Sequence, residues 1–388
     1  MPLTVYVLGL SIFALGTSEF MLSGLLPPIA ADLGVSIPDA GLLISAYAFG
    51  MLFGAPLLAI ATHRLPRKTT LLGTLAVFAA SHAVSALAPS YGLLFGSRVI
   101  AAVANAGFWA AAAATTLAVV PAGRRGRAMA IVTGGLTVAT VLGVPAGTFL
   151  GQHAGWRAAF WAVGALSALA FVAVVTLVPA VPGSSERAGL RTELSAYRSP
   201  RLWLALAIIA IITAASTVVF AYLSPLLTRS IGLPEEWVPA VLALYGVGAL
   251  IGITTGGRFA DRHAIGTIAS GALLALAALA VLATAPSIPV AVVAAILLGF
   301  GGFAVNPALN TRVFALAEAA PSLAGASTTS AFNVGIVTAP WAGGLAIDAG
   351  LGYLSVTWLG IGFAVLALGA TAWAALLERR PVPALATV

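Results

Sequence analysis

The chain has 388 residues, of which 61% are hydrophobic and 7% charged, with 18 basic against 11 acidic side chains. A soluble domain carries roughly 25% charged residues, so soluble enzymes, disordered chains and nucleic-acid binders are excluded. The basic excess then has a topological meaning, and the expected partner is the lipid bilayer rather than nucleic acid.

A transmembrane helix takes about 20 mostly apolar residues. Twelve stretches qualify, at residues 4–26, 39–61, 70–88, 92–118, 128–150, 157–179, 201–224, 237–256, 266–285, 289–312, 324–347 and 353–377. The first lacks a basic leader and contains Glu19, so it is expected to remain a span rather than a cleaved signal. The fourth carries Arg98, Asn105 and Trp109, the fifth Gly143, Pro145 and Gly147, the tenth Asn306 and Asn310, and the eleventh Asn333. Connections are short; the longest, residues 180–200, is charged and amphipathic.

Lys and Arg gather in alternate connections: Arg64, Arg67 and Lys68 after the second span, then Arg124, Arg125 and Arg127, Arg187 to Arg201, Arg258 and Arg262, Arg312, and Arg379 and Arg380. The opposite connections hold Arg157 and Arg229. The excess of basic residues on the cytoplasmic side of membrane proteins predicts that both termini are cytoplasmic, which an even number of spans permits.

A shift of 198 positions superposes Pro27 on Pro225, Gly34 on Gly232, Tyr47 on Tyr245, Gly50 on Gly248, Gly54 on Gly252, Arg64 on Arg262, Thr69 on Thr267 and Gly73 on Gly271. This offset, about half the chain, reads as a parallel six-plus-six repeat. The expected architecture is an all-α membrane protein of two pseudo-symmetric six-helix bundles, residues 1–180 and 201–388, joined by a linker at 181–200. Folds of this kind bind substrate near the bilayer midplane between the halves.

Cysteine is absent, and the four histidines, His63, His82, His153 and His263, show no metal-ligand spacing. Lys68 is the single lysine, and no phosphate-binding loop surrounds it. No cofactor, metal or catalytic constellation is expected, and transport energy would come from a gradient.

The segment Ala59–Lys68 and the segment Gly257–Arg262 resemble the G-x-L-x-D-R-x-G-R-[KR] loops of the major facilitator superfamily. Gly143-Val144-Pro145-Ala146-Gly147 with Gly155-Trp156-Arg157 resembles the helix-5 motif of its drug exporters, and Arg98 stands at the place of their buried arginine. Gly16-Thr17-Ser18-Glu19-Phe20 through Pro27, with Asn105-Ala106-Gly107-Phe108, is similar to the actinobacterial chloramphenicol exporters of the 12-span drug:proton antiporter branch. Two positions depart from the pattern: His63 replaces the usual Asp of the first loop, and Ala101-Ala102 replaces Gln-Gly after Arg98. The resemblance assigns gating roles to Arg64, Asp261 and Arg262, and assigns Gly143, Pro145 and Gly147 to a seam between helices 5 and 8. By composition alone these glycines and this proline permit close packing and a kink.

Glu19 is the acidic residue lying deep within a span. An ionised carboxylate at such depth costs at least about 2.5–3.5 kcal/mol and ordinarily faces a cavity or a partner. It is the candidate proton carrier, with Arg98 as the cation that tunes it; a fixed ion pair is the structural alternative. Arg98, Ala102, Asn105 and Trp109 share one helix face by their spacing, and Asn306 and Asn310 share another. Asn105, Asn306, Asn310, Asn333, Tyr47 and Trp109 are candidate substrate contacts, although buried amides also pack helices together. Trp156, Trp161, Trp203, Trp237, Trp358 and Trp373 read as membrane-interface residues. The expected function is export of a small amphipathic drug, chloramphenicol foremost, in exchange for protons, by a monomer in the bacterial cell membrane. Export of a sugar or other metabolite by the same machine, or a non-transporting sensor or scaffold, are the alternatives.

Overall fold

The computed structural model describes residues 1–62, 65–181, 196–285, 287–318 and 321–379. The regular elements among the described residues are all helical, and twelve are long and apolar enough to cross a bilayer. Spans 1 to 6 are Leu3–Gly24, Ile37–Ala55, Arg67–Leu87, Tyr91–Val119, Ala122–Ala154 and Trp156–Leu177. Spans 7 to 12 are Pro200–Ala221, Glu235–Ala260, Ala264–Ala283, Ile288–Leu316, Ala324–Leu351 and Ser355–Glu378. Lipid offers the backbone no hydrogen-bond partners, so each apolar run closes its bonds internally as a helix. His63 and Arg64 of the first basic loop, and residues 182–195 of the charged connection, lie outside the described residues.

The two halves repeat one design. Span 1 leaves regular α-helix after Phe20, passes through a tighter 3-10 turn at Met21–Gly24 and resumes as the helix Leu26–Leu33. Span 7 breaks at Tyr222 and continues through a π-helical turn, Leu226–Ile231. Both extensions stop at a glycine in the left-handed region, Gly34 with φ 65° and Gly232 with φ 83°. A side chain with a Cβ is strained in that conformation, so this pair of repeat positions has a shared structural cause. Thr4 at the start of span 1 donates to the Leu177 carbonyl ending span 6, and Arg201 at the start of span 7 donates to the Leu377 carbonyl ending span 12. Each bond caps carbonyls that a helix end leaves without in-helix donors.

Helices in lipid gain little from burying apolar surface and associate instead through close packing. Gly248, Gly252 and Gly256 of span 8 lie against the Ile296, Phe300 and Ala304 carbonyls of span 10, and Gly50 and Gly54 of span 2 lie against Val99 and Val103 of span 4. These are corresponding helix pairs in the two halves.

Contacts between the halves gather at the end away from the Arg-rich loops. Ser45 of span 2 donates to the Val337 carbonyl of span 11 at 2.8 Å, and Gln152 donates to the Glu235 carbonyl at 2.7 Å. The Tyr222 ring packs against Gly41 of the first half and Gly343 of the second, and Gly344 lies against Pro38 of the first half. Gly246 of span 8 lies against the Thr140 and Val141 backbone of span 5, where a π-helical turn, Ala139–Gly143, interrupts the α-helix. A Cβ on Gly246 would fall 2.6 Å from the Thr140 oxygen, closer than van der Waals contact allows. We expect Gly246→Val to hold this seam open, leaving the protein folded and inserted but lowering cross-linking of an introduced Ser45→Cys/Val337→Cys pair. Undiminished cross-linking would show that the seam tolerates the bulk.

Candidate functional site

Spans 1, 2, 3 and 4 bring a polar cluster into the apolar interior of the first half. Arg98 is fully buried. Its Nη1 donates to the Ser18 hydroxyl at 2.7 Å and its Nη2 to the Ser18 carbonyl at 3.0 Å. That carbonyl is available because Ser18 lies in the last turn of the regular helix of span 1, where carbonyls lack in-helix donors. The guanidinium also stands over the Tyr47 ring, 4.2 Å from its centroid, an arrangement that stabilises a desolvated cation.

Glu19 neighbours this assembly without joining it. The sequence reading allowed a fixed Glu19–Arg98 ion pair, but among the described residues Glu19 makes neither a hydrogen bond nor an ion pair, although Arg98 acts on it electrostatically. Its side chain is only partly buried, whereas Ser18 and Arg98 on either side of it are closed off. Tyr47, Arg98 and Asn105 leave the Tyr47 hydroxyl, Arg98 Nε and both Asn105 amide atoms buried and unpaired. Asn105 and Ser18 stand within reach of the Tyr47 hydroxyl. Buried polar atoms in proteins are overwhelmingly hydrogen-bonded, so this concentration of under-paired groups sets the cluster apart from the apolar interior around it. Trp109, one helical turn beyond Asn105, is half-buried.

His82 and an aromatic wall complete the cluster, and neither was singled out from sequence. The Ser18 hydroxyl also meets His82 Nε2 at 2.7 Å. Phe20 of span 1 packs edge-on against Phe220 of span 7, 6.1 Å between centroids, and Phe220 stacks on Tyr245 at 4.7 Å. Phe20 and Phe220 thus join the halves beside Glu19. A titratable residue in the apolar third span was the available signal for His82, whose partner lies 64 residues away.

The second half is less polar at the corresponding depth. Asn310 donates to the Asn306 carbonyl and Asn333 to the Thr329 carbonyl, each in its own helix. Asn333 Oδ1 and the Ser216 hydroxyl remain buried and unpaired. Gly143 and Gly147 lie against Thr17 and Met21 of span 1, and span 5 meets span 8 through the π-helical turn and through the following helix Val144–Ala154. Pro145 opens the helical segment following the π-helical turn. At the Arg-rich end Asp261 and Arg262 are exposed and line a groove with His263, Arg312 and Glu378. Arg312 pairs with Glu378 at 2.7 Å.

The opposite end of the first half carries its own clamp. Asp32 accepts from Trp156 Nε1 at 3.1 Å and pairs with Arg157, which also donates to the Ala88 carbonyl. Trp156 is 3% exposed and turned into the protein, unlike the exposed Trp161, Trp203, Trp237, Trp358 and Trp373. The hydrogen bond from Arg157 holds the Asp32 carboxyl below its ordinary value of 3.8. A lowered value means the fold favours the charged form, so the stabilisation is complete above the ordinary value and is lost as pH falls through the folded one. We expect Asp32→Asn to melt below the wild type at neutral pH and the two melting curves to converge in strong acid. A gap that persists in acid would assign the difference to something other than the carboxylate charge.

The sequence pattern of the Major Facilitator Superfamily matches residues 8–340. Over 362 residues, covering 92% of each protein, the chain is 41% identical to the chloramphenicol resistance protein of Streptomyces lividans. The chain belongs to the Major Facilitator Superfamily. This facilitator is also 36% identical to the inner membrane transport protein YdhP of Escherichia coli K12, over 93% of each chain. Its backbone matches a bacterial homologue of the human lysosomal transporter Spinster, in an inward-facing and occupied conformation, with a TM-score of 0.80 and 98% coverage of each chain. At 18% identity that likeness speaks to the fold alone. The facilitator is a multi-pass transporter of the bacterial cell membrane, with a family and fold of transporters rather than enzymes.

Proposed function

We propose that this facilitator exports a small, neutral, amide- and hydroxyl-bearing aromatic drug, with chloramphenicol as the first candidate, in exchange for protons. The observation that carries this reading is the pairing of Glu19, a carboxyl without a hydrogen-bond partner among the described residues, with a buried cation held by other groups. Arg98 is spoken for by Ser18 and Tyr47. The Glu19 carboxyl is therefore free to change its protonation state instead of being locked in an ion pair. The neighbouring Tyr47 hydroxyl and Asn105 amide have unmet hydrogen-bonding capacity, which suits a solute that offers hydroxyl and amide groups of its own. Phe20, Phe220 and Trp109 supply faces for an aromatic ring.

The Arg-rich end is the cytoplasmic one in this reading, in keeping with the positive-inside bias, and both termini are cytoplasmic. The contacts at the opposite end then close the outer side. Drug enters from the cytoplasm while Glu19 is ionised; after reorientation, protonation from outside accompanies its release. A neutralised Glu19 lowers the cost of burying the site while the halves rock back. The facilitator acts as a monomer, with residues 1–180 and 201–388 as its moving halves.

The test is accumulation of labelled chloramphenicol in a susceptible bacterium expressing the facilitator, with and without a protonophore. Low accumulation in energised cells that rises on uncoupling is the expected result. Equal accumulation in both states, with the protein present in the membrane, removes chloramphenicol as substrate and directs the assay to sugars and other metabolites.

A further inference from the structure

We propose that His82 is a positioning residue for the coupling pair: through the Ser18 hydroxyl it fixes where Arg98 stands relative to Glu19. Ring tautomer and hydrogen-bond direction follow from the geometry. His82 is 1% exposed, and its Nδ1 lies 2.8 Å from the Phe78 carbonyl, which can only accept, so Nδ1 carries a proton. Nε2 lies 2.7 Å from the Ser18 oxygen. That oxygen already receives a hydrogen bond from Arg98 Nη1, so the Ser18 proton points away from Arg98 and into the Nε2 lone pair. A doubly protonated ring would put two cationic donors on one hydroxyl in a closed interior. The arrangement therefore uses a neutral ring with a bare Nε2.

A direct comparison on the same helix shows what this lone pair does. Ser11 and Thr17 turn their hydroxyls onto the carbonyl four residues back, each at 2.8 Å. This is the ordinary resting place of a hydroxyl inside a helix. Ser18 departs from it, and His82 supplies the reason. Without the Nε2 acceptor, the Ser18 hydroxyl falls back toward the Ala14 carbonyl and its oxygen leaves Arg98 Nη1. The guanidinium then keeps only the Ser18 carbonyl and the Tyr47 face, and Glu19 is the nearest anion able to draw it. Around His82 stand the Phe78 ring of its own helix and, from span 6, the Phe160 ring and Gly164, the rings at 4.2 and 5.9 Å between centroids; Arg98 is the charged group that faces it. Spans 1, 3 and 4 are thus tied into one hydrogen-bonded string ending beside Glu19.

This assignment deepens the reading of Glu19 and Arg98 as the coupling pair and rests on it, so its test needs neither substrate nor gradient. Infrared difference titration of the purified facilitator follows the Glu19 carboxyl band, identified by its loss in Glu19→Gln. His82→Leu and Ser18→Ala should each displace the Glu19 midpoint by about one pH unit or more, the scale of moving a cation near a carboxyl. The double variant should move it no further than either single one. His82→Gln, whose amide oxygen can accept from Ser18, should restore the wild-type midpoint. Nitrogen NMR of histidine-labelled protein, with the His82 signal found by its loss in His82→Gln, should show a neutral ring protonated on Nδ1. Unmoved midpoints, additive shifts, or a ring protonated on Nε2 each overturn the proposal. Should His82→Leu fail to fold, Ser18→Ala, His82→Gln and the ring spectrum decide it. Failure of the export assay with these results intact would sink the transport reading and leave the positioning role standing.

Discussion

Glu19→Gln is expected to abolish gradient-driven export: cells expressing it should accumulate as much chloramphenicol as cells without the facilitator, with or without a protonophore. Glutamine keeps the size and neutral polarity of a protonated carboxyl but cannot release a proton. In the proposed cycle the drug is captured from the cytoplasm while Glu19 is ionised, so the variant should bind weakly and with no dependence on pH. The wild type should lose affinity as the medium is acidified. Binding can be read from quenching of Trp109, which stands half-buried one turn from Asn105. The physical basis is the isolation of the carboxyl. Neither an ion pair nor a hydrogen bond holds Glu19 among the described residues, so its charge state is free to follow the compartment to which it opens. Efflux retained by Glu19→Gln in energised cells, or a wild-type affinity flat with pH, would falsify the coupling role.

The second large effect is expected at Arg98. Arg98→Lys preserves the charge but loses the fork on the Ser18 hydroxyl and carbonyl and the planar stack on Tyr47. Hydrogen bonds to charged groups contribute of order 1.5–3 kcal/mol each, and a desolvated cation–π contact about 2 kcal/mol. Hydrogen bonds between transmembrane helices average lower, about 0.6 kcal/mol, so folding should survive while geometry suffers. A lysine ammonium is a flexible point charge without the rigid fork, and it would be free to settle on Glu19. We expect Arg98→Lys to reach the membrane and elute as a folded species, with export reduced to about a tenth or less, since a misplacement of 1 Å can cost on the order of a hundredfold. Wild-type export by Arg98→Lys would show that charge alone suffices. Arg98→Ala should in addition lower the melting temperature, because it strips the Ser18 carbonyl and the Tyr47 face of their partner.

The amino-acid sequence by itself determined the twelve spans, the repeat and the charged pair. These are properties of single segments: lipid forces each apolar run into a helix long enough to cross, and a lone Glu or Arg in such a run is costly enough to stand out. Gly34 and Gly232 were legible as a matched pair, and the backbone gives the reason, a left-handed cap at each. Tertiary structure alone decided how these parts meet. Glu19 and Arg98 are brought together without an ion pair, because Ser18 and Tyr47 occupy the guanidinium first. Gly143 and Gly147 lie against span 1 while the same stretch of span 5 also meets span 8, since a helix presents different faces to different neighbours and order in sequence does not say which residue faces which. Trp156 packs inside the protein and bonds Asp32, a partner 124 residues away. His82 was visible only as a histidine without metal-ligand spacing. The role proposed for it rests on a contact with a hydroxyl of another span, a distance and a direction that no local pattern encodes.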